Sequence, residues 1–550
     1  MSPTIISGNI VDVVKKRIFP GTITIENGSI GNIQEDNAHY HTTILPGFID
    51  AHIHIESSML PPAEFSRLAV VHGTVATVSD PHEIANVLGI AGVRYMIENG
   101  KQTPFKFYFG APSCVPATSF ETAGASLGRP EIEELLQQEE IKYLSEMMNY
   151  PGVIHQDPLV MDKIAIAKKY HKPIDGHIPG IVGEDLQKYI DAGISTDHET
   201  YTKEEAIDKL QRGMKIQIRE GSAAKNFDAL SSLIDQYPDQ CFLCSDDKHP
   251  DDLVKGHINE LVRRAFEKGL DTMNVLRCAS YNPVLHYGLD VGLLQKGDPA
   301  DFIVVNNLKQ LTILQTYIKG ILVAEKGKTL IPRRDIPIVN NFHATPKQPS
   351  DFHVSPQGSG MLCIHALDGQ LVTEKSIEKA TIQNGNTVSN TEKDILKIAV
   401  VNRYVNRPPA IEFIKNMGLQ RGAIASSVAH DSHHIIVVGV TDEAITKAVN
   451  AIIEHQGGLA VVSDKETTIL PLPIAGLMSD QDGYEVARQY AHLQTQAKSL
   501  GSSLRAPFMT LAFMALLVIP KLKLSDQGLF DGEQFRFTNL FISPTESPRE

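Results

Sequence analysis

The chain has 550 residues, 42% of them hydrophobic, which is too long for one ordinary domain and predicts two to four. A net charge of -14 and a pI near 5.8 argue against a binder of nucleic-acid backbones, which needs a basic stripe. Five scattered cysteines fit a reducing compartment, and the opening MSPTIISGNIVDVV has no basic region ahead of an apolar core, so the sequence predicts a cytoplasmic protein without a signal peptide.

Residues 5 to 44 carry short alternating runs, with the turn pair Asn27-Gly28 between two of them, and predict a small β unit. From Leu45 the texture changes to strand-length apolar runs alternating with helical patterns. TVATVSD precedes PHEIANVLGIAGVRYMIENG, FKFYFGAPSCVPA follows, and PEIEELLQQEEIKYLSEMMN reads as the next helix. KPIDGHIPG, GISTDHE and CFLCSDD continue the series. Strand and helix in alternation over residues 45–295 predict a parallel (β/α)8 TIM-like barrel in an α/β chain. GLLQKGDPADFIVVNN and ILQTYIKGILVAEKGKTL are again β-like, and the Pro-, Asn- and His-rich stretch from Ile338 to Pro356 predicts a linker. Residues 355–550 mix strands such as LKIAVV with helices such as DEAITKAVNAIIEHQ, an α+β pattern. The apolar run from Phe508 to Ile519 is too short for a membrane span, which needs about 20 residues, and predicts buried core.

The chemistry concentrates in LPGFIDAHIHIESSML, residues 45 to 60. His52 and His54 stand two apart in an apolar run, so an extended chain aims both imidazoles at one point, as a divalent metal requires. A strand end with two polar residues is the competing reading. Further ligands should sit at other strand ends. Glu121, His177, His198 and Asp246 each follow an apolar or β-branched run and precede a break or helix. His82 and Glu83 follow the second strand as candidate proton carriers, or cap and solvate a helix. Asp80 suits a helix cap. Asp247, next to Asp246 on a strand, should face the opposite side. Arg219 to Ser222 either shape a pocket or make a plain turn. His430, His433 and His434 form either a second metal site or a polar loop over the barrel mouth.

The opening Asp50-Ala51-His52-Ile53-His54, the motif Ser79-Asp80-Pro81-His82-Glu83, Glu121, and Cys244 to His249 resemble the adenine deaminase family of the amidohydrolase superfamily. So do Ser427 to His434 and PFMTLAFMALLVIPKLKLSDQGLFD, and the resemblance covers nearly the whole chain. It implies a β-sandwich domain joined from residues 1–44 and 296–340, a metal-dependent hydrolase barrel at 45–295, and a family-specific C-terminal domain at 355–550. It implies two metals, Mn2+ or else Fe2+ or Zn2+, with Glu121 as bridge. His52, His54 and Asp246 would hold one metal, and His177 and His198 the other. The implied reaction is hydrolysis of adenine to hypoxanthine and ammonia in purine salvage. A metal-held hydroxide attacks C6, Asp246 is the base, and His82 and Glu83 relay protons. A homodimer with adenine as its small-molecule substrate, and neither nucleic acid nor membrane as partner, completes the expectation. The alternatives are a cyclic-amide hydrolase on the same barrel and a catalytically inactive binding barrel. A metal assay separates the second, and a lysine in the bridging position would favour the first.

Overall fold

A computed structural model describes residues 4–358 and 360–541. An eight-stranded sheet gathers both flanks of the barrel. Four strands from Thr4–Asp12 to Thr43–Pro46 join four later ones from Phe302–Val305 to Lys328–Thr329. The seam is Thr43–Pro46, which runs parallel to Thr4–Asp12 on one side and antiparallel to Phe302–Val305 on the other. Asn27 and Gly28 both take positive φ (50° and 82°), the conformation a tight hairpin turn demands.

Between these flanks lies the barrel. Its strands are β1 (Phe48–Ile53), β2 (Thr74–Ser79), β3 (Lys106–Ala111), β4 (Ile141–Met147), β5 (Ile174–Gly176), β6 (Thr196–Asp197), β7 (Lys215–Arg219) and β8 (Cys241–Cys244). Neighbours pair in parallel in two runs, β1 to β5 and β6 to β8. Ser195 N donates to Ile174 O at 3.0 Å between the runs. The ring closes where Asp246 N donates to His52 O at 2.9 Å, beside a parallel bridge between Ile53 and Asp246. Every residue of β1, β2 and β8 is buried, as expected for strands covered on both faces.

β4 departs from the sequence-based expectation. The run from Pro130 to Asn149 is not one helix: a helix ends at Leu136, and Ile141 to Met147 form a strand. Its glutamates and lysine mask the apolar Ile141, Tyr143 and Leu144.

The C-terminal region is built on a second eight-stranded sheet, from Gly360–Ala366 to Thr467–Pro471. The period of two in Ile395–Val401 and Ile435–Gly439 sorts its two faces. Ala399, Val401, Ile435 and Val437 pack with Ile445, Ala448 and Val449 of the helix Asp442–Glu454. Ile398, Val400, Ile436 and Val438 belong to the core shared with the barrel and with the helix Gly483–Ser499. That helix starts against the barrel. Its Gly483 is so close to Leu60 and Leu68 that an added Cβ would come within 2.7 Å of Leu68. Arg67 Nη1 meets Asp482 Oδ2 at 2.7 Å alongside. Removing the chain beyond Ser355 would bare Leu60 and Leu68, both fully buried and packed against Gly483. We expect such a truncation to be insoluble or poorly active. A soluble form with undiminished turnover, measured by sedimentation and ammonia release, would contradict this.

Candidate active site

His52, at the end of β1, and His54, just beyond it, point into the mouth of the barrel. His177 and His198 follow β5 and β6, and Asp246 follows β8. At the centre of these side chains stands Glu146, in β4. Its Oε2 lies 2.7 Å from His177 Nδ1 and 3.2 Å from His198 Nε2, and its Oε1 lies 3.4 Å from His54 Nε2. Asp246 Oδ1 lies 3.2 Å from His54 Nε2 and 3.7 Å from His52 Nε2. Burial opposes the charge on Glu146, but the His177 and His198 imidazoles hold its carboxyl well below the usual range.

Glu121 does not join this cluster. It sits on the loop after β3, with its side chain against Thr118 and Ser432. Burial, together with Asp431, pushes its carboxyl up to about 8, so at neutral pH it is largely protonated and a poor partner for a cation. The carboxylate among the imidazoles comes instead from Glu146, in the strand whose pattern reads as helix. Its signal was available: a lone acid after ILE-type strand residues Ile141, Tyr143 and Leu144, bounded by the break at Asn149-Tyr150-Pro151.

Both nitrogens of the fully buried His52 ring, and Nδ1 of His198, lack a hydrogen-bond partner, and the two rings stack with centroids 4.0 Å apart. Unpartnered buried imidazole nitrogens are costly unless a cation takes their lone pairs. Ligand atoms about 2.1 Å from one ion stand roughly 3 to 3.5 Å apart, which matches the separations around His54, Glu146 and Asp246. Two overlapping groups, His52 with His54 and Asp246, and His52 with Glu146 and His198, have the spacing to hold a metal. The donor set of imidazoles and carboxylates fits a divalent cation.

Arg219, missed as a paired group in the sequence, closes one wall. It is buried at the end of β7, and its guanidinium bonds Asp246 Oδ2, Glu199 Oε2 at 2.9 Å and the Tyr201 hydroxyl at 2.8 Å. Burial opposes the charge on Asp246, but Arg219 and His54 hold its carboxyl well below the usual range.

The opposite wall mixes barrel and C-terminal residues. His82 Nδ1 lies 3.2 Å from Asp80 Oδ2 and 3.5 Å from Glu146 Oε1, and its Nε2 lies 3.5 Å from Glu83 Oε1. Asp80 Oδ1 accepts from His82 N at 3.1 Å, as a helix cap does. Glu83 receives His430 Nδ1 at 2.7 Å on one oxygen and His433 Nε2 on the other. Ala429 N donates to His433 Nδ1 at 3.2 Å, so that nitrogen is bare and Nε2 carries the hydrogen given to Glu83. His430 and His433 thus reach the barrel mouth, while His434 turns away to Asp526 at 3.3 Å. Asp247 lines the same chamber as Asp246. Both lie past the end of β8, where Asp246 takes a left-handed φ of 56°, so strand alternation does not separate them.

An amidohydrolase family model matches residues 43–323, and one for the adenine deaminase C-terminal domain matches residues 370–536. An adenine deaminase of Sulfurovum sp. is 58% identical, covering 96% of this chain and 98% of that protein. The chain belongs to the adenine deaminase family of amidohydrolases. An adenine deaminase of Salinibacter ruber is 53% identical, over 98% of this chain and 99% of its own. Among solved structures, a D-hydantoinase matches 60% of this chain and 96% of its own at 12% identity, with a TM-score of 0.45. Family membership makes the chain a hydrolase acting on C–N bonds of a small molecule. No helix among the described residues is long and apolar enough to cross a membrane.

Proposed function

We propose that the protein hydrolyses adenine to hypoxanthine and ammonia, with two divalent cations held by His52, His54, His177, His198, Asp246 and Glu146. Full-length similarity to adenine deaminases supports the substrate, and the convergence of three imidazoles, His54, His177 and His198, on Glu146 supports the metal centre. A glutamate there, with no lysine, speaks against a cyclic-amide hydrolase. Mn2+ is the cation that the family resemblance leads us to expect, with Fe2+ next; imidazole and carboxylate donors without thiolate admit Mn2+, Fe2+ or Zn2+ alike. Bound cations supply Lewis acidity and lower the pKa of water.

The protein's own groups manage the protons. Conversion adds water across C6 of the ring and expels the amino group, so one water proton must reach the amine and one a ring nitrogen. Asp246, kept ionised by Arg219, is the group placed to accept the first and pass it to the departing amine. His82 and Glu83 form a connected pair across the chamber, and His430 and His433 hold both oxygens of an ionised Glu83, so Glu83 is fixed in place to take the second water proton and relay it to the ring nitrogen. Five unpaired cysteines suit a cytoplasmic setting, and a homodimer is the expected assembly.

The test is ammonia release from a purine panel by manganese-loaded protein. Adenine should give equimolar ammonia and hypoxanthine, and adenosine should be refused. No release from adenine, or equal rates on the two, would refute the reading.

A further inference from the structure

Glu83, Glu146, Glu199, Asp246, Asp247 and Asp431 line the chamber. All but Asp431 have partners: Arg219 takes Glu199 and Asp246, imidazoles take Glu83 and Glu146, and Ser57 takes Asp247. Asp431 is 3% exposed, and its Oδ2 is buried without a hydrogen-bond partner. Its Oδ1 stands 3.9 Å from His430 Nδ1, beyond hydrogen-bond reach, and that nitrogen is already given to Glu83 at 2.7 Å.

The segment that carries Asp431 is tied in place. His430 N donates to Ala512 O at 3.2 Å, His433 N to Ala429 O at 2.7 Å, and the Tyr404 hydroxyl to Ser432 O at 2.6 Å. The His430 ring also stacks on Phe513, with centroids 4.7 Å apart. A carboxylate held this way does not swing out to water, and an unanswered buried acceptor is costly until something donates to it. Burial pushes its carboxyl up to about 6 against the pull of His82 and His430, so at neutral pH it is mostly ionised and can only accept.

We propose that Asp431 accepts a hydrogen bond from the 6-amino group of the substrate and so selects 6-aminopurines over 6-oxopurines. The inference rests on the adenine reading above. His82, Glu83 and His430 are the charged groups that act on Asp431 most strongly, so its carboxylate neighbours the one that serves the ring nitrogen, N1. N1 is flanked on one side by C6 with its amino group. On the other side stand C2, which carries only a C–H, and then N3, an acceptor. Of these positions the amino group alone donates, so it is the match for an acceptor beside Glu83. The amino nitrogen gains charge as it leaves, and a carboxylate already bonded to it favours that charge. In the oxo product the same position holds a carbonyl oxygen, an acceptor facing an acceptor, which favours release. Asp431 itself neither gives nor takes a proton.

The test compares wild type with Asp431→Asn, both manganese-loaded, reading adenine turnover by ammonia release and hypoxanthine binding by calorimetry. An amide brings donors as well as an acceptor, so it can meet a carbonyl oxygen. In the variant kcat/KM on adenine should fall at least about tenfold, and hypoxanthine should bind at least about tenfold more tightly. Damage to the fold weakens binding, so a gain separates recognition from a structural role. Undiminished kcat/KM, or hypoxanthine bound no more tightly, in a folded and metal-loaded variant would overturn the proposal. Wild type gives a second check that needs no variant to fold: its Kd for hypoxanthine should exceed its KM for adenine by at least about tenfold. A Kd at or below that KM would also overturn it. Wild type inert towards adenine would instead strike the function reading itself, and this inference with it.

Discussion

Glu146→Gln is expected to lose bound metal and turnover together, whereas Glu121→Gln should keep both. Glu146 offers one oxygen towards His54 and the other towards His177 and His198, so its charge faces every imidazole of the cluster but one. An amide has the same shape but no charge, and one of its two termini is a donor that turns hydrogens towards any cation. Loss of such an electrostatic group typically costs about 10²–10³-fold in rate, and weakened metal retention adds to that. Glu121 is the control: it is an acid held protonated, and glutamine imitates a protonated acid. Its carboxyl moves from 4.5 to about 8 on folding. A raised carboxyl contributes stability at low pH that is lost as pH rises through that interval. Glu121→Gln should therefore flatten the fall in stability between about pH 4.5 and 8, with turnover within about tenfold of wild type. Elemental analysis of metal-supplemented protein, ammonia release and denaturant melts across pH check all three. A Glu121→Gln protein stripped of metal, beside a Glu146→Gln protein that keeps it, would restore the bridge to Glu121.

The contrast shows what the sequence made legible. His52 and His54 could be read because a strand throws alternate side chains to one side, and His177, His198 and Asp246 because each ends an apolar run. Glu146 could not be read the same way. It sits inside its strand, and the strand follows a helix of the same polar texture after a gap of only four residues, Gln137 to Glu140. With that strand missed, the nearest free acid after the preceding strand, Glu121, inherited its place. The barrel and the C-terminal α+β region were visible from periodicity, which local sequence carries. The pairing of Arg219 with Asp246 was not, because it joins the ends of two strands and depends on how the ring closes. The same holds for His430 and His433. Their reach to Glu83 spans some 350 positions of chain, and nothing local announces it. Resemblance to a family located their motif and left its partner unassigned.

Asp246→Asn is expected to leave a folded protein, with metal at least partly retained and turnover down by at least about a hundredfold. One carboxylate oxygen faces His54 and His52, and the other is bound by Arg219, so Asp246 both completes the candidate metal group with the two imidazoles and holds a negative charge beside them. The guanidinium keeps the carboxyl ionised, so Asp246 gains a proton only as the reaction delivers one. Asparagine can still meet Arg219 through its carbonyl, and Glu199 retains its own bond to that arginine, which is why the fold should survive. It cannot accept the proton. Asp247 gives the sharper comparison, since it lines the same chamber. Its Oδ1 accepts from Ser57 Oγ at 2.5 Å, a bond that the carbonyl of an asparagine also accepts, and neither candidate metal group, His52 with His54 and Asp246 or His52 with Glu146 and His198, includes it. Asp247→Asn should therefore cost far less than Asp246→Asn. Turnover of both variants at matched metal content decides the matter. An inactive Asp247→Asn beside an active Asp246→Asn would move the base to Asp247 and leave Asp246 a ligand only.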